Sequence, residues 1–130
     1  MFTIQFIKFV IVGSGGFLVD IFCFYILSII FPNVLARIGS FVVAVIFTYF
    51  FNKNLTFEYK DKGSNFWKKF PEYFVSMIFG GLINILTFVL LDNFVAFFYE
   101  KEYFSIALGS ISGLFVNFYL SKFIFRNGGN

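Results

Sequence analysis

Four long apolar runs, separated by short polar intervals, organise this chain. They cover roughly 8–31, 35–57, 72–98 and 104–125, and each is as long as the about 20 residues an α-helix needs to cross hydrocarbon. Pro32 and Asn33 part the first two runs, because proline cannot continue a helix. The sequence "EYKDKGSNFWKKF" (58–70) is the longest polar interval and the body of a loop over 58–71, and "YEKEY" (99–103) makes the last turn. The pattern predicts an all-α integral membrane fold, one domain over 1–130 with four transmembrane helices. A spanning reading also settles the glycines of "FVIVGSGGFLVDIF" (9–22). A dinucleotide fingerprint would need a third glycine where Leu18 stands, and a βαβ unit around it. The first run is too long for a signal peptide's apolar core and is expected to be retained.

Composition sharpens this picture. Hydrophobic residues make up 59 % of the chain and charged ones 13 %, against about 25 % charge in ordinary soluble domains. Twenty-five phenylalanines are too many for so small a core, so many rings must face lipid. The sequence has no histidine, which removes the commonest acid–base group and transition-metal ligand. Its single cysteine, Cys23, excludes an intrachain disulfide and a Cys-cluster metal site. No nucleophile–base pair or paired carboxylates converge, and Asp92, Glu100 and Glu102 gather at one end where acids are solvated. Neither an enzyme nor a cofactor is expected.

Charge placement sets an orientation. With four spans, both termini and the central loop share one side. Lys8, Lys53, Lys60, Lys62, Lys68, Lys69, Lys122 and Arg126 fall on or near that side, and only Arg37 and Lys101 on the other. By the positive-inside rule the termini and the 58–71 loop are expected to be cytoplasmic. Tyr59, Trp67 and Tyr73 bracket the loop as interfacial aromatics do.

The two halves resemble each other. "FVIVGSGGFL" (9–18) lies over "FVSMIFGGLI" (74–83) at an offset of 65, and "YFFNKNLTF" (49–57) over "NFYLSKFIF" (117–125) at an offset of 68. The fold is therefore expected to consist of two repeated helical hairpins, an arrangement that often places a transporter's site at the repeat interface.

Each span carries a face of small or polar residues at helical spacing. These are Gly13, Gly16, Asp20 and Cys23; Arg37, Ser40, Ala44 and Thr48, ending near Asn52; Ser76, Gly80, Asn84 and Thr87; and Gly109, Gly113, Asn117 and Ser121. Small residues let membrane helices approach closely, and Ser, Thr and Asn can bond across them. Asp20 stands apart, about 12 residues into its span. An acid at that depth costs roughly 2.5–3.5 kcal/mol on insertion scales and needs a partner, a proton or a wet cavity. Arg37, entering from the outer side, has the reach to serve it. At the cytoplasmic end, Lys53, Asn54 and Lys122, with Asn52, Ser121 and Arg126 nearby, make a donor-rich collar suited to a phosphate. Simple anchoring by snorkelling cations is the plainer alternative for Lys122 or Arg126 taken singly.

"FVIVGSGGFLVD" opening the first span, "FFNKNLTF" closing the second and "NFYLSKFIF" closing the fourth resemble the GtrA-like family over essentially the whole chain. The most specific piece is the run Asn52, Lys53, Asn54, Leu55, Thr56, Phe57, in which the resemblance would put another base at Asn54. The resemblance implies translocation of a polyprenyl-phosphate-linked monosaccharide across the cell (inner) membrane for cell-surface glycan synthesis or modification. On that reading Lys53, Asn54, Lys122 and Arg126 receive the phosphate, and Asp20, Arg37, Thr48, Asn52, Asn84 and Asn117 form an intramembrane polar path for the sugar. It equally implies a second role, a non-catalytic anchor or assembly partner for a polyprenyl-phosphate glycosyltransferase. A small proton-coupled multidrug exporter is a third reading, opposed by the eight-to-two charge bias. Four short helices make a thin shelter for a sugar phosphate, so a homo-oligomer is expected, with membrane lipid and a glycosyltransferase as further partners and no nucleic acid.

Overall fold

The turn at Pro32 divides the first apolar half of the chain as the sequence requires. A computed structural model of the protein describes residues 2–60, 65–95 and 102–126. Helix α1 (Phe2–Ser28) and helix α2 (Asn33–Phe51) flank the turn, with Pro32 at the extended dihedrals that start α2. Ser28 Oγ donates to the Tyr25 carbonyl (2.8 Å) as α1 ends. Beyond Phe51 the chain widens into a π-helical turn, Asn52–Thr56, so the second span continues to Thr56. A short 3₁₀ turn, Phe66–Lys69, precedes helix α3 (Phe70–Phe94). Pro71 in the first turn needs no N–H partner there, and Glu72 beside it favours the positive helix end. Helix α4 (Glu102–Arg126) is the last of the described elements.

All four helices are long and apolar enough to cross a membrane, and no strand occurs among the described residues. The chain is a multi-pass membrane protein. The spans differ from the expected boundaries mainly at their ends. The first begins at Phe2, which puts Lys8 inside α1, and the third stops at Phe94 rather than at 98. Of the expected turn at 99–103, residues 99–101 lie outside the described residues, whereas Glu102 and Tyr103 already belong to α4. Lys62 and the side chains of Asp92 and Glu102 also lie outside them.

The single domain expected over 1–130 is built of two compact units, one holding α1 and α2 and ending at Asn65, the other beginning at Phe66 and holding α3 and α4. Each is a helical hairpin: α1 packs on α2, and α3 on α4. Lipid-facing and packed residues invert the usual order of a water-soluble protein. Phe17, Leu18, Phe22 and Tyr25 are more than three-fifths exposed, whereas Ser40, Asn52 and Thr56 are buried. Exposed hydroxyls are satisfied by their own helices, as where Ser14 Oγ donates to the Val10 carbonyl (2.9 Å) and Ser112 Oγ to that of Leu108 (2.8 Å). Hydrocarbon supplies no other acceptor.

The internal repeat is present, in a register one residue away from the one that side-chain identity suggests. Phe9, Val12 and Gly16 are the buried positions of α1, and Tyr73, Ser76 and Gly80 the buried positions of α3, an offset of 64 rather than 65. In the second helices Ala36, Ser40, Ala44, Tyr49, Asn52 and Thr56 correspond in burial to Ser105, Gly109, Gly113, Phe118, Ser121 and Phe125, an offset of 69 rather than 68. In a phenylalanine-rich sequence, ring-on-ring matches dominate identity, whereas packing follows the small residues at which helices touch. The corrected register sets Asp20 against Asn84, Thr48 against Asn117 and Lys53 against Lys122.

Candidate functional site

Glycines bring the helices of each hairpin together. A Cβ added at Gly16 would run into the Thr48 side chain, and one at Gly80 into the Asn117 amide. Gly109 and Gly113 face backbone instead: an added Cβ would lie 2.6 Å from the Asn84 carbonyl oxygen and 2.7 Å from that of Gly80, respectively. Most of the small-residue faces thus mate with each other inside their own hairpin. Gly13 is different, since a Cβ there would meet nothing within 4 Å.

Inside the first hairpin, Arg37 Nη1 donates to Asp20 Oδ2 at 2.8 Å. Of the ways to hold an acid at this depth, the chain uses the ion pair. Asp20 Oδ1 is buried and has no hydrogen-bond partner among the described residues. Thr48 turns its hydroxyl back to the Val45 carbonyl (3.1 Å). Arg37 also borders a shallow, open, apolar groove of about 400 Å³ with Phe24, Asn33, Val34 and Ile38.

The second hairpin answers the same positions with neutral groups. Asn84 occupies the place of Asp20, and Ile106 that of Arg37. Asn117 Oδ1, Ser105 Oγ and Ser121 Oγ are buried without a partner among the described residues. The repeat explains Ser121. Its counterpart, Asn52, accepts a hydrogen bond from Thr56 Oγ1 at 2.8 Å, but the position matching Thr56 is Phe125, which has no hydroxyl to offer.

At the end of α2 lies Lys53, only 1 % exposed. Its ammonium sits over the Tyr49 ring (5.7 Å to the centroid) and over the Tyr59 ring (5.5 Å). An ammonium between two aromatic faces exchanges hydration for ring quadrupoles. Lys122, its counterpart, stands 5.9 Å from the centroid of Phe118, which corresponds to Tyr49. Cation and ring thus recur together in both hairpins. Asn52 is buried beside Lys53, whereas Asn54 and Arg126 are exposed.

The π-helical turn accounts for this local arrangement. Phe57 N–H donates to the Asn52 carbonyl (2.9 Å) and Tyr59 N–H to that of Lys53 (2.8 Å), a wide closure around Glu58, whose φ of 49° is the one positive value at a non-glycine among the described residues. That left-handed residue reverses the chain and carries the Tyr59 ring back to Lys53. From α1, Lys8 Nζ donates to the Leu55 carbonyl (3.0 Å) and to Glu58 Oε1 (3.1 Å). Tyr49 and Glu58 carry no expectation from the sequence, and Tyr59 and Lys8 only those of an interfacial aromatic and a topology-setting cation; none of the four is among the candidate site residues. The tyrosines carry a signal in hindsight, aromatic residues four before and six after a cation, but nothing in spacing links Lys8 to Glu58 across fifty residues.

Two apolar hairpins, each closing on its own glycine and polar positions and each ending in a cation–aromatic contact, define a small polytopic membrane protein. Residues 8–125 match the family described as GtrA/DPMS, transmembrane domain. The chain belongs to that family, in keeping with a membrane function related to polyprenyl-phosphate sugars. No curated protein matches the chain.

Proposed function

We propose that this protein moves a polyprenyl-phosphate-linked monosaccharide across the cytoplasmic membrane for cell-surface glycan synthesis or modification, making and breaking no covalent bond. The observation that carries the reading is the set of buried oxygens at Asp20, Ser105, Asn117 and Ser121 without a donor among the described residues. Burying a polar group unsatisfied costs on the order of 1–3 kcal/mol in proteins, and a domain that serves only to anchor an enzyme has no use for four of them. Sugar hydroxyls are donors of the right kind. They would replace water at these oxygens while the prenyl chain stays in lipid.

Lys53, Lys122 and Arg126 lie at the ends of their helices, where a phosphate at the membrane surface needs cations. The eight-to-two distribution of basic residues supports placing these ends, the termini and the central loop on the cytoplasmic side. There a glycosyltransferase partner would deliver the charged lipid. A second copy of the chain would complete the shelter that four helices provide only thinly.

The test is sugar exposure in liposomes carrying a polyprenyl-phosphate monosaccharide, read with a membrane-impermeant probe, for the unmodified protein and for Asp20→Asn. Rapid exposure that the folded variant loses supports translocation through a path that includes Asp20. Exposure no faster than in protein-free liposomes, with the glycosyltransferase present and a proton gradient applied, favours the anchor.

A further inference from the structure

Lys53 lies on a turn whose shape is held from another helix. Every residue of the π-helical segment Asn52–Thr56 is one that an ordinary α-helix would accommodate, so the wide pitch needs an external cause. Two are present. Glu58 takes the left-handed conformation, which a residue with a Cβ adopts only at a steric cost. Lys8, 50 residues earlier in sequence, bonds both the Leu55 carbonyl inside the turn and the Glu58 carboxylate after it. A carbonyl released by a helix end is a natural acceptor for an ammonium. The same turn brings Tyr59 over the Lys53 ammonium opposite Tyr49.

We infer that Lys8 and Glu58 are positioning residues for Lys53: together they latch the π-helical turn so that Tyr49 and Tyr59 hold the Lys53 ammonium in place to bind the phosphate of a lipid. The inference rests on the proposed phosphate role of Lys53. It explains why the first hairpin has a fixed, buried cation where the second has the half-buried Lys122. At the position matching Glu58 the second hairpin has no acid, because α4 ends at Arg126 and Asn127 follows. The Lys8 side chain is 40 % exposed and that of Glu58 71 %. The latch is therefore reachable from the membrane surface and its two partners can be exchanged without disturbing the core.

The experiment measures binding of farnesyl phosphate to the full chain in nanodiscs, together with amide hydrogen exchange over residues 53–59. Variants are Lys8→Met, Lys8→Arg, Glu58→Ala, Lys53→Met and Lys53→Met/Glu58→Ala. Lys8→Met and Glu58→Ala are expected to speed exchange across the turn and to weaken binding about two- to tenfold, the range of one ordinary intramolecular hydrogen bond. Lys8→Arg should restore most of both. The double variant should bind no worse than Lys53→Met alone, because a latch that acts through Lys53 has nothing left to position. Additive losses in the double variant, or unchanged binding in Glu58→Ala while Lys53→Met is impaired, would overturn the inference alone. Unchanged binding in Lys53→Met would overturn the phosphate role and the inference with it. Exchange rates unaltered by Glu58→Ala would show that no latch exists.

Discussion

Arg37 and Asp20 meet across α1 and α2 through one 2.8 Å contact, yet they are buried very unequally, with the arginine side chain 61 % exposed and the aspartate 13 %. Loss of one partner therefore does not mirror loss of the other. Removing Arg37 strands a carboxylate in the packed interior. Removing Asp20 leaves a guanidinium that already reaches outward and can find headgroups.

The expected order of stability follows from this asymmetry. Arg37→Ala should destabilise the hairpin by about 3 kcal/mol, the scale of an uncompensated buried charge, and Asp20→Asn by about 1 kcal/mol or less. Adding Asp20→Asn to Arg37→Ala should recover most of the loss, since the stranded charge is gone. Denaturant titration in detergent micelles measures all three. An arginine variant no worse than the aspartate variant would show that the pair does not neutralise a buried acid.

Glycine substitutions separate helix contact from open space. At Gly109 and Gly113 an added methyl group would press on backbone carbonyls of α3, and backbone cannot rotate away. Alanine at either position should cost about 1–3 kcal/mol, as overpacking does. Alanine at Gly13 or Gly81, where nothing lies within 4 Å, should be neutral or stabilising by up to about 1 kcal/mol through helix propensity. Thermal denaturation of the four variants side by side is the check, with the unmodified chain as reference.

Aromatic faces rather than phenolic hydroxyls should matter around Lys53. Tyr59→Phe keeps a ring near the ammonium and is expected to bind a prenyl phosphate nearly as well as the unmodified protein. Tyr59→Ala removes one of the two faces and should weaken binding about two- to thirtyfold, the span of about 0.5–2 kcal/mol for a cation–π contact from exposed to desolvated settings. Equal binding by both variants would mean that Tyr59 contributes nothing to holding the cation.

Much of this architecture could be read from residue order, for a physical reason. A span is set by a composition summed over about 20 residues, so four apolar runs declare themselves regardless of details. The mid-span acid likewise announced a need, and Arg37 lay within reach of it. What stayed hidden depends on single atoms. The wide turn after Phe51 is followed by a left-handed Glu58 and bonded by Lys8 from another helix, and no periodicity encodes either. Sequence identity sets the repeat one residue off in each helix pair, α1 with α3 and α2 with α4, because phenylalanine matches outweigh the contact positions. Packing selects the side that lacks bulk, so Gly16 corresponds to Gly80, not to Gly81. Nor does sequence order show that the neighbours Lys53 and Asn54 differ in burial, the lysine being buried and the asparagine exposed.

The corrected register also makes the two hairpins exchangeable on paper, and that yields a strong test of it. Asn84 stands where Asp20 does, and Ile106, more than half exposed, where Arg37 does. Asn84→Asp should therefore place an unpaired acid at mid-span depth, with a cost on the order of 2 kcal/mol. Ile106→Arg alone should be tolerated, because its side chain already faces outward. The two changes combined should recover at least half of the loss by building in α3 and α4 the ion pair that α1 and α2 already contain. Stability of both single variants and the double variant, measured by denaturant titration in the same detergent, gives the coupling energy directly. Purely additive effects would mean that positions 84 and 106 do not face each other as 20 and 37 do, and the offsets of 64 and 69 would then describe burial without describing geometry.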